Sequence, residues 1–237
     1  MTHTYKTKAI IIKRINLGEA DRIVTALSRD FGKIRFVAKG VRRIKSKLSG
    51  SIEPYYESEL LLFTGKNLDI LSNASILKTF IPNKPELVTL KTANYFGEII
   101  DRLTPDQEKD PELFDIFETS LNLLSDSIFA KLYFESRFYQ HSGVFPETNL
   151  CVKCQKKPDS FFFSTYANGS ICESCRYAFA DAVPVTQKAL RFWQQIAFCQ
   201  DPQNIDLTDK IVYKEIVALS DGYIKNLTQH RFKSNLI

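Results

Sequence analysis

The hydrophobic periodicity of this chain changes at Pro82 and Pro85, and the change predicts two kinds of structure along one sequence. Before it, short runs rich in Ile, Val, Leu, Tyr and Phe are separated by turns that contain Gly, Asn or Asp, which is typical of β-strands. After it, apolar residues recur at helical spacing. We therefore predict an α+β, multidomain protein in which a β domain precedes a helical one.

The β part is short and contains about five strands. The predicted strands are Lys6–Arg14, Arg22–Ser28, Lys33–Lys39, Tyr55–Phe63 and Leu68–Leu77. Five strands in so small a domain favour a barrel, because closing the sheet removes exposed edges. The five-stranded OB-fold is the leading candidate, since it has this size and also handles single-stranded nucleic acid.

The helical part is interrupted by a small segment that contains four of the five cysteines. Asp110-Pro111 predicts a helix start, with an N-cap aspartate and proline at the first helical position. The predicted helices are Leu87–Leu103, one following Asp110, Ile128–His141, Thr186–Cys199 and Asp209–Leu227. We predict the OB-fold domain over residues 1–80, helical parts over 81–146 and 182–237, and a cysteine module over 147–181.

Two Cys-x2-Cys pairs predict a metal site. Cys151 and Cys154 are separated from Cys172 and Cys175 by seventeen residues, within the spacing of four-thiolate zinc sites. Between the pairs, an aromatic run and the turn pair Asn168-Gly169 predict a hairpin that brings them together. A site with four cysteine ligands has no open position, so we expect one structural Zn²⁺ rather than a catalytic one.

Residues 33–47, which we call the basic segment, run from a predicted strand into the loop that follows it. They carry an unusual density of positive charge and no acidic residue. The seven basic residues are Lys33, Arg35, Lys39, Arg42, Arg43, Lys45 and Lys47. Residues 1–80 hold fifteen Lys and Arg against seven Asp and Glu, a net charge of +8, whereas the remainder holds seventeen against twenty, a net charge of −3. A polyanion lying across these side chains would release counterions, which is the main source of sequence-independent nucleic-acid affinity. A solvated basic face without a ligand is the alternative.

The sequence lacks the motifs that are typical of membrane proteins and of several classes of enzyme. No apolar run approaches the ~20 residues needed to cross a bilayer, so we expect a cytosolic protein without a membrane partner. We find no P-loop, Rossmann loop or nucleophile elbow, and no histidine in a metal-catalytic motif. The residues therefore predict a binding protein and not an enzyme.

Five features of the sequence form a recognisable set. They are Thr7–Ser28 (TKAIIIKRINLGEADRIVTALS), Phe31–Leu48 (FGKIRFVAKGVRRIKSKL), Glu53–Phe63 (EPYYESELLLF), the four paired cysteines and His230–Ser234 (HRFKS). Through these features, and over nearly its full length, the chain resembles the RecO family of bacterial recombination mediator proteins. The first two motifs are specific when they occur together, whereas the cysteine pairs alone are generic.

The resemblance implies an N-terminal OB-fold, a helical domain and a zinc-binding module. It also implies binding of single- and double-stranded DNA, annealing of complementary strands, and partnership with RecR. Single-strand-binding protein is a further implied partner, with RecA loaded indirectly onto DNA that this protein covers. The DNA-binding positions of the family match Lys33, Arg35, Lys39, Arg42 and Arg43, and Lys45 and Lys47 are added on charge. A nucleoid-associated, cytoplasmic protein of DNA repair and recombination is the resulting expectation.

Three other functions stay open at this point. An RNA-binding OB-fold and zinc-ribbon protein of translation or ribosome assembly would contain the same two modules. A metal-dependent nuclease would need a site that the motifs do not reveal. A pure adaptor would bind an acidic partner through its helices and leave the basic segment without a ligand.

Overall fold

The computed structural model of the chain describes residues 3–228, and these divide into two compact units, one up to Ala130 and one from Lys131 onward. The predicted motif His230–Ser234 lies outside the described residues. No helix among the described residues has the length and apolar character that a membrane span requires.

The N-terminal strands close into a barrel with the order β1-β2-β3-β5-β4. Neighbouring strands are antiparallel except β3 and β5, which pair in parallel. The strands are β1 (Thr4–Leu17), β2 (Asp21–Ser28), β3 (Gly32–Ala38), β4 (Tyr56–Phe63) and β5 (Asp69–Thr79). The predicted five-stranded OB-fold barrel is therefore confirmed.

Strand β1 is longer than predicted because it serves two neighbours. Its first half, Thr4–Ile10, pairs with β4, and its second half, Ala9–Leu17, pairs with β2. The register shifts between Ile11 and Lys13, which is a β-bulge. Four consecutive apolar residues of β1, 9–12, are buried, and of these Ala9 and Ile11 face the barrel core.

The barrel interior is a single apolar core. Every second side chain along a strand points inward and contributes to it. Phe36 lies in this core and is fully buried. The core residues are Ala9, Ile11, Val24, Ala26, Ile34, Phe36, Ala38, Val41, Ile52, Leu60, Leu62 and Leu71. Val41 and Ile52 belong to the connection between β3 and β4, so this connection is anchored in the barrel at both ends.

Helices follow the barrel as the periodicity predicted. They are α1 (Leu87–Leu103), α2 (Pro111–Asn122), α3 (Ser127–His141), α4 (Gln187–Phe198) and α5 (Lys210–Thr228). The Asp110 carboxylate accepts a hydrogen bond from the Leu113 amide at 2.9 Å, so the predicted N-cap of α2 is confirmed. The α1–α2 loop belongs to the same compact unit as the barrel and passes over the start of β3, where the Gln107 amide donates to the Lys33 carbonyl at 2.9 Å.

Helix α1 packs closely against the barrel at Gly97. A Cβ atom there would lie 3.1 Å from Ile12 Cγ2 and 3.2 Å from the Tyr55 hydroxyl oxygen, closer than ordinary contacts. Tyr55 has φ of 62°, and its hydroxyl donates to Asn94 Oδ1 at 2.7 Å. A bulky residue rarely adopts this conformation, so the barrel and α1 together hold Tyr55 in place.

The unit that begins at Lys131 is built around Trp193, which is fully buried. The indole nitrogen donates to Ser136 Oγ at 3.0 Å. Tyr139 of α3, Tyr223 of α5 and Phe163 all place their rings within 6.4 Å of the Trp193 ring. Aromatic residues of these helices and of the segment between them thus form one core.

Between α3 and α4 the chain forms a three-stranded sheet with the order β7-β6-β8. The strands are β6 (Phe161–Ser164), β7 (Gly169–Cys172) and β8 (Val183–Val185). The predicted hairpin is β6 and β7, while β8 is short and was not predicted. Pro184 occupies β8, an edge strand, where a missing backbone donor is tolerated.

Two glycines with positive φ provide a test of the α1–α2 loop packing. A Cβ atom on Gly32 would lie 1.8 Å from the Glu108 carbonyl oxygen, whereas one on Gly18 would meet no atom within 4 Å. Gly18→Ala should lower the free energy of unfolding by about 1–2 kcal/mol, the cost of a left-handed backbone. Gly32→Ala should cost a further ~1–3 kcal/mol, because it also displaces the loop. Urea denaturation measures both, and equal losses would contradict this packing.

Candidate nucleic-acid interface and metal centre

The sequence between β3 and the 3-10 helix at Gly50–Ile52 forms a loop, residues 39–49, which we call the basic loop. Gly40 opens it with φ of +65°, and its amide donates to Asp21 Oδ1 at 2.7 Å. The Arg42 amide donates to the Ala20 carbonyl at 2.9 Å. Val41, only 1% exposed, points into the barrel core between them. The entrance of the loop is therefore fixed to the β1–β2 turn and to the core.

Backbone hydrogen bonds also order the middle of the basic loop. The Arg43 amide donates to the Gly40 carbonyl at 3.1 Å, and the Ser46 amide donates to the Arg43 carbonyl at 2.9 Å. These are two successive turns, and Ser51 closes a third by donating to Leu48. The loop thus presents its side chains from an ordered backbone.

Five of the seven predicted cations lie on this loop, and all five are exposed. They are Lys39, Arg42, Arg43, Lys45 and Lys47. Arg42 Nη1 donates to the Gly18 carbonyl at 2.9 Å, which orients its guanidinium without neutralising it. Within residues 3–228, no carboxylate lies at ion-pair distance from these five side chains. Their charge is therefore available to an anion in solvent.

Lys33 differs from the expectation of a surface cation. Its side chain is only 3% exposed, and Nζ donates to the carbonyls of Asp101 at 2.7 Å and Thr104 at 2.6 Å. Nζ also lies 3.2 Å from Asp106 Oδ1. These carbonyls end α1, so the ammonium caps the helix C-terminus and interacts with its dipole. The α1–α2 loop covers Lys33, and this tertiary cover is the reason that it does not reach solvent.

Arg35 occupies an intermediate position on the same strand. Its Nη2 lies 3.7 Å from Asp101 Oδ1 and 3.6 Å from Asp106 Oδ1, and the side chain is partly exposed. Two carboxylates therefore offset its charge. The structure brings Arg35 beside the Lys33 cap and not into the basic loop.

Arg22 is a neighbouring cation that the sequence analysis did not single out. It pairs in register with Ala38, so it lies beside the entrance of the basic loop. Partial burial is the largest of the causes that lower the pKa of Arg22, and repulsion from Arg14 and Arg42 lowers it further. Arg22 Nε donates to Asn16 Oδ1 at 3.4 Å and Arg42 Nη1 donates to the Gly18 carbonyl, so both guanidinium groups lie at the β1–β2 turn. Pairing of the predicted strands at residues 22–28 and 33–39 would have found Arg22.

The two phenylalanines near the basic segment have different surroundings. Phe36 is buried in the barrel core, so it does not face a ligand. Phe31 is partly exposed and packs its ring 4.7 Å from the Tyr5 ring. It precedes β3 while the basic loop follows β3, and a seven-residue strand separates the two by roughly 20 Å.

The four predicted ligand cysteines come together. The Sγ atoms of Cys151, Cys154, Cys172 and Cys175 all lie within 4.8 Å of one another. Cys154 Sγ and Cys172 Sγ are 3.8 Å apart, and two sulfurs bound to one tetrahedral zinc at about 2.3 Å are also about 3.8 Å apart. The donor set and the spacing therefore fit a single metal ion.

The local fold explains this convergence. The first cysteine pair forms a tight turn in which the Gln155 amide donates to the Cys151 carbonyl at 2.8 Å, with Gln155 at φ of 59°. The second pair begins at the end of β7, where Cys172 pairs with Phe161 of β6, and continues into a 3-10 helix at Glu173–Ala178. Phe162 and Ile171 pack beneath the cluster.

The thiols influence each other's protonation. A hydrogen bond with Ser174 lowers the pKa of Cys172 to about 6, and hydrogen bonding to Cys172 raises the pKa of Cys175 to about 12. A metal ion binds cysteine as the thiolate, so one ion bound by these four thiols would displace their protons. Cys199 lies outside the cluster, and partial burial raises the pKa of its thiol.

The basic residues that border the cysteine module are of two kinds. Lys153, Lys156 and Lys157 are exposed. Arg176 instead lies over the Phe162 ring at 4.9 Å and the Tyr177 ring at 4.7 Å, and pairs with Glu173 at 3.2 Å. Its guanidinium therefore packs within the module.

Family models match almost the whole chain. Residues 1–80 match the model described as "Recombination protein O N terminal", and residues 85–236 match "Recombination protein O C terminal". The first match coincides with the barrel, and the second includes the helices and the cysteine cluster.

Curated relatives named "DNA repair protein RecO" support the same assignment. One from Dehalococcoides mccartyi is 33% identical over 82% of this chain and 78% of its own length. Another from Acetivibrio thermocellus is 31% identical over 96% of this chain and 93% of its own, and one from Thermoanaerobacter sp. is 27% identical over 97% and 94%. The barrel, the cysteine cluster and these matches agree, and the chain belongs to the RecO family of DNA repair proteins.

Proposed function

We propose that the protein is a non-enzymatic mediator of DNA repair and recombination. It binds single- and double-stranded DNA, anneals complementary strands and acts with RecR to help load RecA onto DNA coated with single-strand-binding protein. Membership of the RecO family supports the DNA repair role, and the ordered, unneutralised basic loop is the observation that supports direct DNA binding. Its proposed location is the cytoplasm, in association with the nucleoid.

The proposed DNA surface is the basic loop with Arg22 at its entrance. Lys39, Arg42, Arg43, Lys45 and Lys47 would bind phosphates, and the arginines can bind a phosphate through two parallel hydrogen bonds. Lys33 is left out of this surface because its ammonium caps α1, and Arg35 is peripheral because two carboxylates offset its charge.

Annealing follows from the same electrostatics. Two complementary strands repel each other through their phosphates, and cations that neutralise one strand lower that repulsion as the second approaches. No base-reading helix is required for such a role, because base pairing between the strands supplies the sequence specificity. The protein would contribute charge, and the strands would contribute recognition.

The metal that best fits the cysteine cluster is one Zn²⁺ bound by Cys151, Cys154, Cys172 and Cys175. Four thiolates fill a tetrahedral coordination shell, so the ion would stabilise the module and would not activate water. The metal would act by holding the first cysteine pair against the end of β7.

The basic loop is tested by the salt dependence of DNA binding. Neutralising about four phosphates of a single strand gives a slope of log K against log salt of roughly −3. Lys39→Ala, Arg42→Ala and Arg43→Ala together should flatten this slope by up to ~2 units. Fluorescence anisotropy with a labelled oligonucleotide at several salt concentrations measures the slope.

A charge-matched control separates local contacts from net charge. Lys210, Lys214 and Lys225 are exposed on α5, and their replacement by Ala removes the same total charge. This control should keep the parent slope. If both triple variants flattened the slope equally, or if neither did, the DNA site would lie elsewhere.

Lys33→Met tests the assignment of Lys33 to the helix cap. Removing the ammonium leaves the carbonyls of Asp101 and Thr104 without their donor, so the free energy of unfolding should fall by about 1–3 kcal/mol. The slope of DNA binding against salt should stay at the parent value. A flattened slope with unchanged stability would contradict this assignment and would show that Lys33 belongs to the DNA surface.

The cysteine cluster is tested by metal content. The parent protein and Cys199→Ser should each retain one zinc per chain, whereas Cys154→Ser should lose it. Loss of zinc should make residues 147–181 more sensitive to proteolysis, because metal binding and folding of such a module are coupled. Full zinc retention by Cys154→Ser, or zinc loss by Cys199→Ser, would contradict the proposed ligand set.

A further inference from the structure

Ile44 lies in the middle of the basic loop, and the residue has a relative exposure of 105%. The next most exposed large apolar side chains among the described residues, Ile211 and Tyr177, reach 81%. Single exposed apolar residues are common, so exposure alone has no functional meaning. The surroundings of Ile44, however, indicate a functional role.

The backbone holds Ile44 outward. It lies within the turn that the Ser46 amide closes onto the Arg43 carbonyl, directly after the turn closed by the Arg43 amide onto Gly40. Three residues earlier, Val41 is buried in the barrel core, so the loop cannot roll to bury Ile44 instead. As a β-branched residue, Ile44 also has few side-chain rotamers. Little conformational entropy is therefore lost when a partner covers it.

Cations surround this apolar side chain in the sequence. Arg42 and Arg43 precede it, and Lys45 and Lys47 follow it, all of them exposed. A partner that covers the loop must offer an apolar surface between negative charges only a few ångströms apart. A single strand of nucleic acid has this chemistry, because each base presents an apolar face between successive phosphates. An anionic membrane fits less well, since membrane-bound segments bury a broad apolar face and not one side chain.

We propose that Ile44 packs on the face of an unpaired base while the flanking cations bind the phosphates on either side. The proposal rests on the proposed DNA-binding function and deepens it, because it assigns the basic loop a contact with bases in addition to charge. Such a contact is independent of base identity, since every base has an apolar face. It favours single strands over duplex, in which stacked neighbours cover the base faces.

A strand that lacks bases tests this contact directly. An abasic oligonucleotide keeps every phosphate of the matching single strand and removes only the base faces. The parent protein should bind the strand with bases more tightly than the abasic strand. Ile44→Ala should reduce this preference by about three- to tenfold, since it removes the apolar atoms that the base would cover. Its affinity for the abasic strand and its salt slope should stay at the parent values.

Ile211→Ala is the matched control, because it makes the same substitution at an exposed isoleucine on α5. It should keep the parent preference for strands with bases. A single 2-aminopurine within the strand gives a second measurement. Its fluorescence should change when the parent protein binds, and Ile44→Ala should reduce that change.

Four results would overturn the proposal, and they are distinguishable. An unchanged preference in Ile44→Ala would show that Ile44 does not contact bases. An equal loss of affinity for both strands would show that the substitution disturbs the loop in general. Loss of binding to phosphatidylserine-containing vesicles, with DNA binding intact, would assign Ile44 to a membrane. If the parent protein bound neither strand, the proposed function would fail and the base contact with it.

Discussion

Strand β3 is covered along one edge by two different partners, and this division determines which cations reach solvent. Its other edge pairs with β2 along its whole length. On the divided edge, β5 pairs only with Phe36 and Val37, while the α1–α2 loop lies beside the strand start and bridges Lys33 to Asp106. The α1–α2 loop buries Lys33, the first cation of the basic segment. Closure of the barrel by β5 fixes the point at which β3 ends and the basic loop begins. The cations of the basic segment, which are neighbours in the sequence, are thereby divided between a helix cap and a surface that faces solvent.

Features that depend on local pattern were predictable from the sequence. Short runs rich in Ile, Val, Leu, Tyr and Phe between turn residues predicted the five barrel strands, and Asp110-Pro111 predicted the start of α2, because both signals lie within a few residues. The spacing of the two cysteine pairs predicted their convergence, since a hairpin between them needs little chain. The family resemblance, carried by two long motifs, was confirmed by the matches to both family models.

Features that depend on distant partners were not predictable. Lys33 reads as one of seven equivalent cations, and its acceptors lie 68 and 71 residues further along the chain. Arg22 is an exception, because pairing the two predicted strands that form β2 and β3 would have placed it beside the basic loop. The exposure of Ile44 follows from the inward direction of Val41 and from the turns that flank it. In the unit from Lys131 onward, alternation along β6 places Phe162 under the cysteine cluster and Phe163 against Trp193, so one strand joins the cysteine cluster to the helical core.

We propose that an ordered cationic loop on an OB-fold barrel promotes pairing between DNA strands. Annealing of two complementary labelled oligonucleotides, coated with single-strand-binding protein and followed at increasing salt, tests it most directly. We expect the protein to accelerate annealing on coated strands, and the acceleration to weaken as salt screens the loop. Binding of the strands without any acceleration of their pairing would contradict the claim, and would indicate a protein that only covers DNA.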